Sequence, residues 1–274
     1  MNDMKLGKLG IFMEKGSWKS PIKKVLVPAT FFVYLIQCGP GQKNESEVLK
    51  TINKAPTAKE ITDTIKTSPF TFYVNLKTNR MSYFSQGKLK EQWNVATADV
   101  TGEHHDGEPQ ITPQGIYSTD SIVHCPSWFP SKPVDPLTGK KVTDEKRRFE
   151  IFEQYPETYG PCGAQNPLGK YVIWFKGPYG IHGNVNESIL KIPDPEKRRV
   201  SGGCIRNPNA KIKALFHDVL RFYPSLKSFS EQVKVAEQLP KEAPKSMLKK
   251  WIELDARIIV VNEAKDPVSF APFR

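Results

Sequence analysis

The sequence contains no Cys-x-x-Cys pair. Its four cysteines, Cys38, Cys125, Cys162 and Cys204, stand far apart, which removes the usual spacing of a structural zinc site. His104-His105 and His124-Cys125 offer donor atoms, but adjacent residues rarely aim both side chains at one ion, so they read as loop residues. No recognition-helix or zinc-finger pattern occurs, which argues against nucleic acid as a partner. No internal repeat is visible. Nor is any apolar run long enough to span a bilayer comfortably: residues 25–37 make thirteen, too few for a membrane helix but suited to the core of a signal peptide. Large apolar side chains are scarce from 39 to 68. That stretch is rich in Lys, Glu, Thr and Asn and reads as a tether, with a short helix around Lys59–Lys66.

What is present fits a globular body. The 274 residues suffice for one large domain or two small ones. Hydrophobic residues at 38% and charged residues at 25% are ordinary for a folded domain. The 23 prolines favour strands and loops over long helices. The formal charge is +11, but residues 1–37 hold six lysines against Asp3 and Glu14, a surplus of four that leaves +7 for the rest. Such a field favours anionic partners, among them acidic lipid and the carboxylate-rich cell wall. Lys197-Arg198-Arg199 is the one short basic run.

Lys23-Lys24 precedes the apolar run, and Leu35-Ile36-Gln37-Cys38 closes it. This segment resembles a lipoprotein signal, although Gln37 replaces the small residue usual before the cysteine. The resemblance implies a signal peptide over 1–37 and lipidation of Cys38, followed by a tether over 38–68. A buried N-terminal strand is the alternative.

From Phe70 the pattern becomes that of strands. Phe70, Phe72, Val74 and Leu76 alternate with Thr71, Tyr73 and Asn75, the period of a half-buried strand. Further strands are expected at Met81–Phe84, Trp93–Ala96, Gly115–Val123, Tyr171–Phe175 and Ile258–Val261. Long Pro- and Gly-rich loops separate them, notably 125–170. After Pro208, Ile212, Leu215, Phe216, Val219, Leu220 and Tyr223 form a helical stripe. Cys204 is therefore expected on the turn entering a helix, where free N–H groups favour a thiolate. A second helical segment, broken by Pro240 and Pro244, is expected over 229–253, within an insertion spanning 221–255.

The chemistry concentrates in Gly180-Ile181-His182-Gly183 and Ser201-Gly202-Gly203-Cys204-Ile205-Arg206. A nucleophilic cysteine needs a base for its proton and donors for an oxyanion. Gly202-Gly203 allows close approach of backbone amides to a carbonyl. His182 sits at a glycine-flanked strand end, whereas His217 lies about 20 Å beyond Cys204 along the helix. His182 is the candidate base. These two motifs resemble the signature of the L,D-transpeptidase catalytic domain family. Thr112-Pro113-Gln114-Gly115, Cys125-Pro126-Ser127-Trp128, Asn166-Pro167-Leu168-Gly169 and Asn209 resemble other family segments. Gly202 stands where the family usually has histidine.

The resemblance implies a mainly β protein with α elements, an α+β sandwich or barrel with long active-site loops and a helix following the nucleophile. The domain would span 69–262, with a tail at 263–274. It implies attack by Cys204 on a peptidoglycan stem peptide with His182 as general base, its imidazole oriented by a carbonyl near Gly183. Gly203 would contribute oxyanion donors, Ser201 would tune the site, and Arg206 would bind a substrate carboxylate or hold the loop by a salt bridge. No metal or cofactor is required, and the expected partners are stem peptides and a membrane, on the periplasmic side of the envelope. Hydrolysis by the same residues, as an L,D-carboxypeptidase or endopeptidase, and a non-catalytic wall-binding lipoprotein are the alternatives. With Cys38 and Cys204 so assigned, Cys125 and Cys162 remain as a candidate disulfide, two free thiols being the alternative.

Overall fold

The alternation from Phe70 predicts a strand with one wet face, yet every residue of β1 (Phe70–Asn75) is buried. In the computed structural model, which describes residues 55–98, 111–130, 133–240, 246–264, 266 and 269–273, apolar clusters cover both sides of this strand. Phe70, Phe72 and Val74 point into the larger cluster. Tyr73 points into a smaller one with Phe84, Ile259 and Val261. That second face is closed by helix α1 (Ala58–Thr67), which buries Ile61 and Ile65 there. Thr57 starts α1 with a capping box, its hydroxyl accepting from the Glu60 N–H while Glu60 accepts from the Thr57 N–H.

Strands β2 (Arg80–Ser85), β3 (Lys88–Asn94), β4 (Gly115–His124), β5 (Tyr171–Phe175), β6 (Tyr179–His182), β7 (Ile205–Arg206) and β8 (Leu248–Val261) complete an eight-stranded sheet. Its order is β3-β2-β1-β8-β4-β5-β6-β7. The pairs β1/β8 and β6/β7 are parallel, the others antiparallel. Beyond β3 the chain continues to Ala96, which bridges Arg206 of β7. The two edges are thereby linked, and the sheet curls like a barrel. Against its inner face lies α4 (Asn209–Phe222), burying Ile212, Leu215, Phe216, Val219 and Leu220. Helix α5 (Lys227–Gln238) adds Phe229 and Val233 to the same core. Truncating a fully buried side chain such as Phe216 should cost roughly 3–5 kcal/mol.

Two segments differ from expectation. Helix does not persist to residue 253: α5 stops at Gln238, before Pro240, and the chain from Leu248 pairs with β4, Leu248 opposite His124 and Trp251 opposite Ser121. An available strand edge overrides the local pattern there. The 125–170 connection also carries its own structure, α2 (Glu145–Gln154) and a helical turn α3 (Pro156–Tyr159). Asp144 caps α2 by accepting from the Arg147 N–H at 2.7 Å, and the Arg147 guanidinium pairs with Asp135. Ile151, Phe152 and Tyr159 give this lobe a small core, with Trp128 packed against it. Among the described residues no helix is long and apolar enough to cross a membrane.

Candidate active site

Cys204 immediately precedes β7, and His182 ends β6. In their parallel register Ile181 stands opposite Ile205 and His182 opposite Arg206. Continued one step back, Gly180 falls opposite Cys204. The pleat then sets Gly180, His182, Cys204 and Arg206 on one side of the sheet. The expectation that the cysteine sits at a helix entrance is not met. A strand and Asn207-Pro208 separate it from α4, which begins at Asn209, so its thiolate gains nothing from a helix end. Its local donor is the Gly180 N–H, which together with the Arg206 guanidinium lowers the thiol pKa, while burial, the larger effect, raises it. The partly exposed thiol contacts the Pro178 carbonyl at 3.8 Å.

His182 is 2% exposed. Its Nδ1 lies 2.6 Å from the Gly183 carbonyl oxygen. A carbonyl can only accept, so Nδ1 carries the proton and Nε2 keeps its lone pair. Burial pushes its pKa down to about 3, with Arg206 adding to the fall and the Gly183 carbonyl opposing it. The ring is neutral across the physiological range. Gly183 is clamped as well: a Cβ there would lie 2.2 Å from Asn209 Oδ1. The Asn209 amide spans to the Asn184 backbone, accepting from its N–H at 3.1 Å and donating to its carbonyl at 2.9 Å. Asn207 donates its N–H to the His182 carbonyl at 2.8 Å and its amide is fixed by Trp93 Nε1 at 2.8 Å.

The turn before Cys204 is tied from within. Ser201 Oγ donates to the Cys204 carbonyl at 2.6 Å and accepts from the Gly203 N–H at 3.2 Å. Gly203 has φ +112°, and a Cβ there would lie 2.5 Å from the Tyr179 ring, so only glycine fits. Arg206 finds no acidic partner among the described residues, and its buried Nε lacks a hydrogen bond.

Sequence reasoning missed Arg198. A basic run reads as solvated surface, yet Arg198 is 2% exposed. Its guanidinium donates to the carbonyls of Thr78, Asn79, Val95, Ile192 and Pro193. The strand it grips continues into the site: Thr97 accepts from the Ser201 N–H at 3.0 Å, and Ala96 exchanges backbone hydrogen bonds with Arg206. Nothing in the sequence alone separates this buried arginine from the exposed Lys197 beside it.

The remaining candidates lie apart. Cys125 and Cys162 are joined by a disulfide at the base of the 126–161 lobe, their Cα atoms 4.3 Å apart. His124 approaches these sulfurs within a cluster of donor atoms spanning 4.8 Å, but oxidised cysteines offer no thiolate to a metal. His217 belongs to α4, where its Nε2 lies 2.9 Å from Glu237 of α5. Cys38 lies outside the described residues, as do the apolar run, the tether up to residue 54, and His104-His105.

With the geometry in place, comparison with known proteins is direct. The family described as YkuD, L,D-transpeptidase catalytic domain, matches residues 69–237, well over half of the chain. The chain belongs to this family. It is 34% identical over 96 residues to the probable L,D-transpeptidase ErfK/SrfK of Escherichia coli, a match covering 35% of this chain and 25% of that one. The chain thus spans about a quarter of that relative's length. Among solved structures it is similar to Mycobacterium tuberculosis L,D-transpeptidase 1, with 10% identity, 71% and 62% of the two chains covered and a TM-score of 0.36. A second is M. tuberculosis L,D-transpeptidase 3 in complex with a faropenem-derived adduct, with 10% identity, 71% and 61% covered and a TM-score of 0.39. At those scores the superpositions carry no further argument.

Proposed function

We propose that the chain is a peptidoglycan L,D-transpeptidase, a cysteine acyltransferase of the cell envelope anchored through a lipid on Cys38. The observation that carries this reading is His182: buried, neutral, its Nδ1 proton spent on Gly183, on the strand beside the one that Cys204 precedes. That leaves Nε2 as the acceptor for a thiol proton. The depressed imidazole pKa and raised thiol pKa disfavour a resting ion pair, so the proton moves as the sulfur attacks. Cys204 Sγ bonds to the carbonyl carbon of the third stem residue, and Nε2 takes the thiol proton. The oxyanion is held by N–H groups around Gly203 and Cys204. Collapse breaks the C–N bond and returns that proton to the departing D-alanine amine. An acceptor amine then attacks the thioester, yielding a 3–3 cross-link or an attached molecule; a C–N bond forms, C–S breaks, and the acceptor's proton passes through His182 back to sulfur. Arg206, on the same side of the sheet and without an acidic partner among the described residues, suits a substrate carboxylate.

The +7 left after residue 37 fits a carboxylate-rich wall. Intact-protein mass spectrometry with a carbapenem should give a covalent adduct on the wild type and none on Cys204→Ala. An adduct persisting on that variant refutes the assignment. Muropeptide products distinguish amine from water as the acceptor. Metabolic labelling with a fatty-acid analogue should mark the wild type and miss Cys38→Ala; labelling of both, or of neither, rejects the anchor.

A further inference from the structure

The sheet face that carries the catalytic pair can be followed outward by register. Gly180 stands opposite Trp174, and Trp174 opposite Ser121; in the adjoining row His182 stands opposite Val172, and Val172 opposite Val123. These rows share one side of the pleat with Cys204 and Arg206. Along β5, Tyr171, Val172, Ile173 and Phe175 are buried, and Trp174 alone keeps partial exposure. A tryptophan left partly open in a strand otherwise sealed calls for a reason.

Its indole reaches toward the nucleophile. A Cβ built on Gly180 would meet Trp174 Cε3 at 2.8 Å and Cζ3 at 3.0 Å, so the ring lies across Gly180. Gly180 is also the residue whose N–H favours the Cys204 thiolate. Trp174 also packs, as Trp128 does, on the small cluster of Val123, Leu168 and Val172. Trp128 belongs to the lobe closed by the Cys125–Cys162 disulfide, so the same cluster ties Trp174 to that lobe.

We propose that Trp174 is a specificity-determining residue that contacts the acyl donor, its open face forming the wall on which the side chain of the third stem residue lies. The inference rests on the peptidoglycan reading above. Reach selects that side chain. Gly180 is one strand spacing, about 5 Å, from the Cys204 position, so a group touching the wall lies within about one residue of the attacked carbonyl. The sugar end of the stem is three residues away, about 10 Å along an extended chain. A diamino acid fits this wall, because its methylenes can cover the indole while its charged tip stays in water. The methyl of the departing D-alanine is also within reach but offers the ring far less apolar surface.

The test uses the full chain and two tetrapeptides identical except at position three, one with a diamino acid and one with alanine. The readout is the ratio of their kcat/KM values, which is independent of the active fraction of each preparation. The wild type should prefer the diamino peptide by about tenfold, the size of one good apolar contact. In Trp174→Ala that ratio should fall toward one, mainly through KM, and in Trp174→Phe most of it should return. A ratio unchanged by Trp174→Ala overturns the proposal, as does a fall in kcat alone. Titration of wild-type Cys204 with a carbapenem separates the two readings. A protein that is acylated yet turns over neither peptide overturns the peptidoglycan assignment itself.

Discussion

Replacing Arg198 by methionine keeps the length and apolar stem of the side chain and removes every donor at its tip. In the native protein Nε donates to Val95 at 3.2 Å, and Nη2 to Thr78 at 2.9 Å and Asn79 at 3.3 Å. Nη1 donates to Pro193 at 3.1 Å and also to Ile192. No carboxylate among the described residues accepts from this guanidinium, so its burial is compensated by carbonyl dipoles alone. Hydrogen bonds to a charged group contribute about 1.5–3 kcal/mol each. Summing them would overcount, because the charged head also loses its hydration when it is buried. The Asn79 carbonyl, moreover, keeps a second donor in the Val95 N–H at 2.9 Å. A net loss of about 3–5 kcal/mol is expected for Arg198→Met, as for other disrupted buried ionic networks. Arg198→Lys keeps the charge but not the fork and should recover part of the loss. Urea unfolding of the three proteins gives the answer, provided the slope stays constant so that midpoint shifts report stability. A cost below about 1 kcal/mol for the methionine variant would refute the reasoning that these carbonyl contacts stabilise the fold.

His182→Ala should slow acylation of Cys204 by roughly 10²–10⁴-fold, the usual range for a general base, whereas His217→Ala, which loses its Glu237 contact and its packing on Tyr171 and Phe216, should change it little. Equal losses in stopped-flow acylation would remove His182 from its role. Acid should destabilise the fold in a defined window. The pKa values of His182 and His124 are depressed from 6.5 to about 3 and about 4, in both cases chiefly by burial. The unfolded chain therefore binds more protons between those limits. Stability is fully present above pH 6.5 and is lost as pH falls toward 4 and then 3. His124→Gln should make the decline of the urea midpoint between pH 6.5 and 4 shallower; an unchanged slope would show that His124 does not contribute.

The legible parts of the sequence were those in which local pattern and final environment agree. Alternation located β1, short strand-like runs located β2, β4 and β5, and the apolar stripe located α4, because these patterns survive into the folded state. The motifs around His182 and Cys204 were legible because glycine at 183 and 203 answers a local steric demand. Other features depended on distant partners. Leu248–Leu254 is strand because β4 lies beside it. Arg198 is buried because Thr78, Val95 and Ile192 converge on it. Both faces of β1 are dry because α1 and α4 reach it from opposite sides of the sheet. The exit from the Cys204 turn was misread because two residues of strand are too few to leave a periodic trace.

The placement of β8 has a consequence for the order in which the molecule can form. β8 lies between β1 and β4, so it joins two otherwise separate sets of strands, and Phe70 of the first strand pairs with Ala256 near the chain's end. Until residues 256–261 are available, β1 lacks its β8 neighbour and Gly115–Ser118 of β4 lack theirs, so the half-sheet that carries His182 and Arg206 is not yet joined to β1–β3. Contacts so far apart in sequence close late and slowly. The chain should thus remain uncommitted through most of its synthesis and reach its native state in one late step, and losing only those six C-terminal strand residues should abolish folding altogether.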